Sequence, residues 1–169
     1  MKFRITYICL FLAFVFMGCR SSLTILQRST KASQAFYNYD SRIISSELDG
    51  SYNIRAFGRA RNAVAAYEEA RKQAVYDVLF NGVQSSNSRI TSLRPLLLEV
   101  NAKEKYEDYF NAFFADRGAY QEYTSYSDAR ILTDNKYSNN LQILVQVSVT
   151  VDVKSLKQKL IEDNILKTK

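Results

Sequence analysis

The sequence predicts an α+β domain: a single antiparallel sheet of about four strands, in the order β-β-α-α-β-β-α, with helices packed on one face. Three stretches carry that expectation. Leu141, Ile143, Val145, Val147, Val149, Val151 and Val153 alternate with Gln142, Leu144, Gln146, Ser148, Thr150 and Asp152, the period-two pattern of a strand with one face on a core and one in water. Asp49-Gly50 sits between two strand-like runs, the signature of a tight hairpin. Ala60, Ala63, Val64, Tyr67, Ala70, Ala74, Val75 and Val78 recur at three- and four-residue steps, the spacing of a helix with one buried stripe.

Taken in order, the two hairpin strands are expected at roughly Tyr39–Leu48 and Ser51–Phe57, with Tyr52, Ile54 and Ala56 on one face. Gly58 is read as the break that opens a long helix, about Arg59–Asn81, stopped by Asn81-Gly82. Its polar side carries Arg61, Asn62, Glu68, Glu69, Lys72 and Gln73, with Glu68 and Lys72 spaced for an ion pair. Val83–Val100 lacks periodicity and holds the only proline, Pro95, so it is expected as a long loop with Leu96–Leu98 tucked onto the core. Long loops in compact domains often carry function. Ser85–Arg94, with Arg89 and Arg94 as its cations, is the candidate contact for a partner.

Asn101 and Glu104 have the spacing of a reciprocal helix cap. The helix that follows, about Ala102–Ala115, places Tyr106, Tyr109, Phe110, Phe113 and Phe114 on one broad side, read as core. Ala119–Thr133 is expected to be extended and Asp134–Asn140 to turn. After the Leu141–Val153 strand, Asp152 is placed to cap a last helix, about Val153–Asp163, with Leu156 and Leu160 inward. Asn164 suits the left-handed cap position and Ile165 the fold-back onto Leu160.

Composition narrows the chemistry. The 169 residues include two cysteines and no histidine, so the commonest general base and the commonest zinc ligand are missing. Carboxylates such as Glu68, Glu69, Glu104, Glu107 and Asp108 remain as candidate acid–base groups, but on helix faces they are expected to be solvated. No catalytic signature, cofactor or metal site is expected.

The amino terminus, Met1–Cys19, has Lys2 and Arg4 as a positive head, an apolar run of 13 residues over Ile5–Met17, and small Gly18 before Cys19. That is the layout of a secretory signal, and the run is shorter than the ~20 residues of a spanning helix. The segment resembles a bacterial lipoprotein signal with Phe16-Met17-Gly18-Cys19 as its lipobox, although Phe16 and Met17 are bulkier than usual there. The resemblance implies cleavage after Gly18, acylation (palmitate included) of Cys19, and anchorage to membrane lipid. Removing Lys2 and Arg4 takes the formal charge from +6 to +4, and with Cys9 discarded no thiol is left for a disulfide or a nucleophile. Nucleic acid is not expected as a partner of an exported chain.

The expected organisation is therefore a signal peptide at 1–18, a lipidated tether at 19–35 and one domain at 36–169. Arg20-Ser21-Ser22 lacks both the aspartate linked to inner-membrane retention and an acidic export cluster, which by the same resemblance implies the periplasmic face of an outer membrane.

Arg55-Ala56-Phe57-Gly58, the Arg61–Asp77 helix, Val147–Asp152, and Leu156 with Leu160 and Asn164-Ile165 resemble a domain of small outer-membrane lipoproteins and the N-terminal domain of flagellar assembly protein T. The run Arg71-Lys72-Gln73-Ala74-Val75 with Asp77-Val78-Leu79-Phe80 is also similar to uncharacterised lipoproteins of Bacteroidetes-type bacteria. These are packing and capping patterns, and they carry no catalytic residue across. Two functions are thus expected in order: a non-enzymatic binding or assembly module whose partner is an envelope protein or a second copy, and a peptidoglycan- or glycan-binding module using Tyr37, Tyr39, Tyr120, Tyr123, Tyr126 and Tyr137 as stacking surfaces.

Overall fold

A strand of alternating valines sets the architecture. In the computed structural model, which describes residues 40–132 and 142–167, β5 (Ile143–Asp152) lies between β2 (Ser51–Ala60) and β4 (Thr124–Ile131), antiparallel to both. Val145, Val147, Val149 and Val151 are fully buried, facing the helices, and stand opposite Gly58, Ala56, Ile54 and Tyr52 of β2. β1 (Arg42–Ser46) pairs antiparallel with β2 through the Asp49-Gly50 turn. There Gly50 takes φ 95°, and the Asp49 carboxylate accepts from the Ser51 backbone N–H and hydroxyl at 2.9 and 2.7 Å.

The fold is α+β, with one five-stranded sheet and four α-helices among the described residues. The expected four-stranded, purely antiparallel sheet is corrected on one point. A two-residue strand, β3 (Gln84–Ser85), pairs parallel with β1 at the edge, giving the order β3-β1-β2-β5-β4. Two residues carry no readable periodicity, so the strand is not visible in the Val83–Val100 stretch. That stretch is ordered by its own bonds. Val83 and Leu93 exchange backbone hydrogen bonds at 2.8 and 2.9 Å, and the N–H groups of Leu96 and Leu97 donate to the carbonyls of Val78 and Leu79. Leu97 is buried, Leu96 is half-buried and Leu98 is exposed.

Gly58 does not break the strand. β2 runs through it to Ala60, and the helix α1 (Ala63–Tyr76) starts only after Asn62, whose side-chain oxygen accepts from the Ala65 N–H at 2.8 Å. The glycine serves close approach instead: a methyl group there would drive into the Ala66 carbonyl oxygen and the Ala70 backbone nitrogen. The helix starts four residues later than expected, and its buried stripe differs from the one read. Ala66, Ala70, Ala74, Val75 and Val78 are buried as a row, whereas Val64 is 72 % exposed and Arg71 is buried. The last turn widens into a π-turn, Asp77–Asn81, closed by the Gly82 N–H donating to the Asp77 carbonyl at 2.7 Å.

The expected single helix over Ala102–Ala115 is two: α2 (Ala102–Lys105) and α3 (Glu107–Phe113), bent at Tyr106. Asn101 has φ 62° and makes no side-chain cap, so the Asn101–Glu104 reciprocal cap does not form. A left-handed residue points its side chain away from the N–H groups a cap must reach. Phe110 and Phe113 are buried, and Tyr106, Tyr109 and Phe114 pack partly buried against the core. Ala119–Tyr123 is a 3₁₀ turn rather than extended chain, and β4 follows it. β4 is exposed along nearly its whole length and is bulged between Ser127 and Arg130, where Asp128 has φ 46°.

The last helix, α4 (Val153–Glu162), matches its reading closely. The Asp152 carboxylate accepts from the Ser155 N–H, Leu156 and Leu160 are fully buried, Asn164 is left-handed, and the Ile165 N–H returns to the Leu160 carbonyl. Leu144, on the sheet face away from the helices and opposite Arg59, is also buried, so that face is not uniformly wet. Met1–Cys19, the Arg20–Ala35 tether and the Asp134–Asn140 turn lie outside the described residues.

The Gly58 contact is backbone on backbone, so no rotamer change relieves it. Gly58→Ala is expected to destabilise the fold by about 2 kcal/mol or more, at the upper end of overpacking costs. Equilibrium urea unfolding checks this, with a lower midpoint at unchanged slope.

Candidate functional site

Two sets of polar and aromatic residues flank α1 on opposite sides, and they differ in kind. On the β4 side is a brace. Arg71 is almost fully buried and spends every donor: Nη1 donates to both Glu68 carboxylate oxygens at 2.9 and 3.2 Å, Nη2 to the Thr124 carbonyl and hydroxyl at 3.2 and 3.0 Å, and Nε to the same hydroxyl. Glu68 also accepts from the Tyr120 hydroxyl at 2.8 Å and from the Gln121 amide at 3.0 Å. A buried arginine held by a bidentate carboxylate and three further acceptors, the Thr124 carbonyl and hydroxyl and the Gln121 carbonyl, is satisfied, so this cluster locks α1 to the 3₁₀ turn and β4. The Tyr126 ring completes it, lying 5.2 Å from the guanidinium and 6.3 Å from the Tyr67 ring. The expected Glu68–Lys72 pair is replaced: Glu68 takes Arg71, and Lys72 reaches Asp116 at 3.1 Å.

On the other side α1 and its π-turn face α2 and α3 across an open groove of about 460 Å³, within the roughly 300–1,000 Å³ of ordinary ligand sites. Its floor is a circuit of four rings: Tyr76–Phe80 at 4.9 Å between centroids, Phe80–Phe110 at 5.0 Å, Phe110–Phe114 at 6.4 Å and Phe114–Tyr76 at 6.4 Å. The rim is polar, with Glu69, Lys72 and Gln73 from α1 and Lys103, Glu104, Glu107 and Asn111 from the facing helices. The bend at Tyr106 divides that facing wall, with Lys103 and Glu104 on α2 and Glu107, Phe110 and Asn111 on α3. Lys103 extends across the rim to hold its ammonium 5.2 Å from the Tyr76 ring centre.

The candidate residues read from the sequence are distributed unevenly over these features. Glu69, Glu104 and Glu107 meet at the groove, Glu68 is consumed by the brace, and Asp108 is not part of the lining. Among the described residues no cluster of acidic, cysteine or histidine side chains has metal-binding geometry, and no helix is long and apolar enough to cross a membrane. Arg89 and Arg94 are exposed on the Val83–Val100 loop, away from the groove lining. The Asn87 side chain accepts from the Arg89 backbone N–H at 3.0 Å, which fixes the turn that carries it.

Of the tyrosines offered as stacking surfaces, Tyr120 is buried in the core, Tyr123 stacks on Phe113 at 6.4 Å, and Tyr126 is held by Tyr67 and Arg71. Tyr37, Tyr39 and Tyr137 lie outside the described residues. Sequence reasoning did not find the groove. Its signal was the pair of i, i+4 aromatic steps, Tyr76/Phe80 and Phe110/Phe114, each flanked by polar residues at neighbouring helical positions.

Beside this geometry the comparisons are silent: no family model, no curated protein and no solved structure matches the chain.

The brace has a pH signature. Burial pushes the Glu68 carboxyl up, but hydrogen bonds from Tyr120 and Arg71 and the Arg71 charge outweigh it, leaving it below the ordinary glutamate value of 4.5. A carboxyl lowered by folding adds stability that is fully present above its unfolded value and is lost as pH falls through the folded one. Urea midpoints measured between pH 7 and pH 3 are therefore expected to drop more steeply for the parent chain than for Glu68→Gln.

Proposed function

We propose that this chain is a bacterial envelope lipoprotein, lipidated on Cys19 and held on the outer membrane, whose domain is a non-enzymatic binding or assembly module facing the periplasm. The observation that carries the reading is the Met1–Cys19 arrangement: positive head, short apolar run, and Phe16-Met17-Gly18-Cys19 at its end. The resemblance to small outer-membrane lipoproteins and to the N-terminal domain of flagellar assembly protein T, made on packing motifs, supports the same class. A binding role is supported by the groove, whose aromatic floor and polar rim are the composition of a recognition site. Its carboxylates stand at an open rim, where water screens them, rather than in a closed cleft that would hold a proton for transfer. Arg89 and Arg94, exposed on an ordered loop, supply a second contact for an envelope protein partner or a second copy.

One observation favours the second reading, a peptidoglycan- or glycan-binding lipoprotein. The four-ring floor lies beside the Gln73 and Asn111 amides, and rings with flanking amides suit a sugar's apolar face and its hydroxyls.

The test is an affinity pull-down from gently crosslinked membranes with a carboxy-terminal tag, comparing the parent chain with Cys19→Ala and with Arg89→Glu/Arg94→Glu. The parent is expected in the membrane fraction with a defined set of envelope proteins. Cys19→Ala is expected to lose the membrane fraction, and the double charge reversal to lose a partner while staying membrane-bound. A Cys19→Ala chain that fractionates like the parent overturns the anchor. A chain that pellets with purified peptidoglycan and recovers no protein replaces the first reading by the second.

A further inference from the structure

We propose that the four-ring groove takes a lysine side chain presented by a basic segment of an envelope protein, in the position that the Lys103 ammonium occupies in the free chain; this rests on reading the domain as a binding module. The argument begins with what the groove already holds. Lys103 makes no hydrogen bond or ion pair among the described residues, and its ammonium rests 5.2 Å from the Tyr76 ring centre. Ring faces carry negative quadrupole charge and attract an ammonium, and more strongly where neighbouring rings exclude water. Tyr76 is only half-exposed and sits within ring contact of both Phe80 and Phe114. The groove is therefore chemically an ammonium site, filled from its own rim.

Charge at the rim points the same way. Glu69, Glu104 and Glu107 line the groove, and none has a cationic partner among the described residues. Lys72, the other rim cation, is neutralised by Asp116 at 3.1 Å. Three unpaired carboxylates around an aromatic floor complement an incoming cation and repel an anion. The four-carbon stem of a lysine suits the floor as well, since its methylenes pack on rings while its head stays near the carboxylates. The groove is an open trough between two helical walls rather than a closed cavity. A trough admits a side chain that remains attached to a longer chain, which selects a protein segment over a free amine.

Lys103 then acts as a competitor. A ligand ammonium must displace it from the Tyr76 ring, so removing Lys103 strengthens binding even though it deletes a rim residue. A merely structural Lys103 would not behave in this way.

The test titrates the full chain, in detergent micelles, with a trilysine peptide followed by isothermal calorimetry. The controls are the same peptide acetylated on its side chains, and cadaverine as a free diamine. Trilysine is expected to bind, acetylation to weaken it by about tenfold or more, and cadaverine to bind much more weakly. Lys103→Ala is expected to tighten trilysine binding by about two- to fivefold and Glu107→Gln to loosen it by a similar factor, as cation–ring and exposed charge contacts are worth. Both substitutions are at exposed positions, so folding is not at issue. The proposal is overturned if trilysine does not bind, if the acetylated peptide binds as well, if cadaverine equals trilysine, or if Lys103→Ala leaves affinity unchanged or lower. The binding-module reading fails separately, when the membrane pull-down recovers no partner; partners recovered alongside silent calorimetry leave that reading standing and remove this one.

Discussion

The helix α1 can lie where it does because Gly58 has no side chain. Backbone meets backbone at this point, with the Ala66 carbonyl and the Ala70 nitrogen filling the space a Cβ would need. The helix is then held close along its length by Ala66, Ala70 and Ala74, each fully buried, over the valines of β5. Such a thin interface removes little apolar area per residue, and its strength comes from contact density instead. It also fixes what flanks the helix. With α1 pressed onto the middle of the sheet, Arg71 is carried down beside β4, where it needs Glu68 and Thr124 to be buried without loss. On the opposite flank the large rings of the π-turn and α3 fill the step between the low helix and its neighbours, leaving the groove above them. Brace and groove are two consequences of one missing methyl.

What was legible in the sequence follows from the range of the forces involved. β5 and α4 could be read nearly residue by residue because period, cap and stop are local: Val145–Val151 alternate, Asp152 reaches Ser155, and Asn164 turns the chain back. The Asp49-Gly50 turn is equally local. Gly58 was misread because local grammar treats glycine as punctuation, whereas its role lies in an approach between two elements. The error moved the helix start, and the stripe was read to include Val64, which is exposed, and to leave out Ala66 and Arg71, which are buried. The parallel pairing of β3 with β1 joins residues about forty apart through two residues, and no sequence period records it.

The groove was illegible for a related reason. An aromatic residue at helical spacing looks the same whether its ring is covered by the core or only by a lysine. Phe110 is buried and Phe80 and Phe114 are half-buried, a difference set by how two separate elements pack rather than by any pattern within one helix. The carboxylates Glu69, Glu104 and Glu107 were each visible as surface charges, but their convergence is a property of two helices brought face to face.

The bulge in β4 bears on how these molecules behave when crowded. A sheet's last strand offers unpaired N–H and C=O groups, and a straight, apolar one invites another chain to continue the ladder. Here Tyr126, Ile131 and Leu132 are exposed at that edge, which on composition alone is an aggregation hazard. Asp128, at φ 46°, throws the strand out of register midway, and Arg130 sets a charge directly after it. An arriving strand finds no run of evenly spaced bonding groups long enough to zip along. The bulge and charge thereby make this edge a poor template for continued strand pairing.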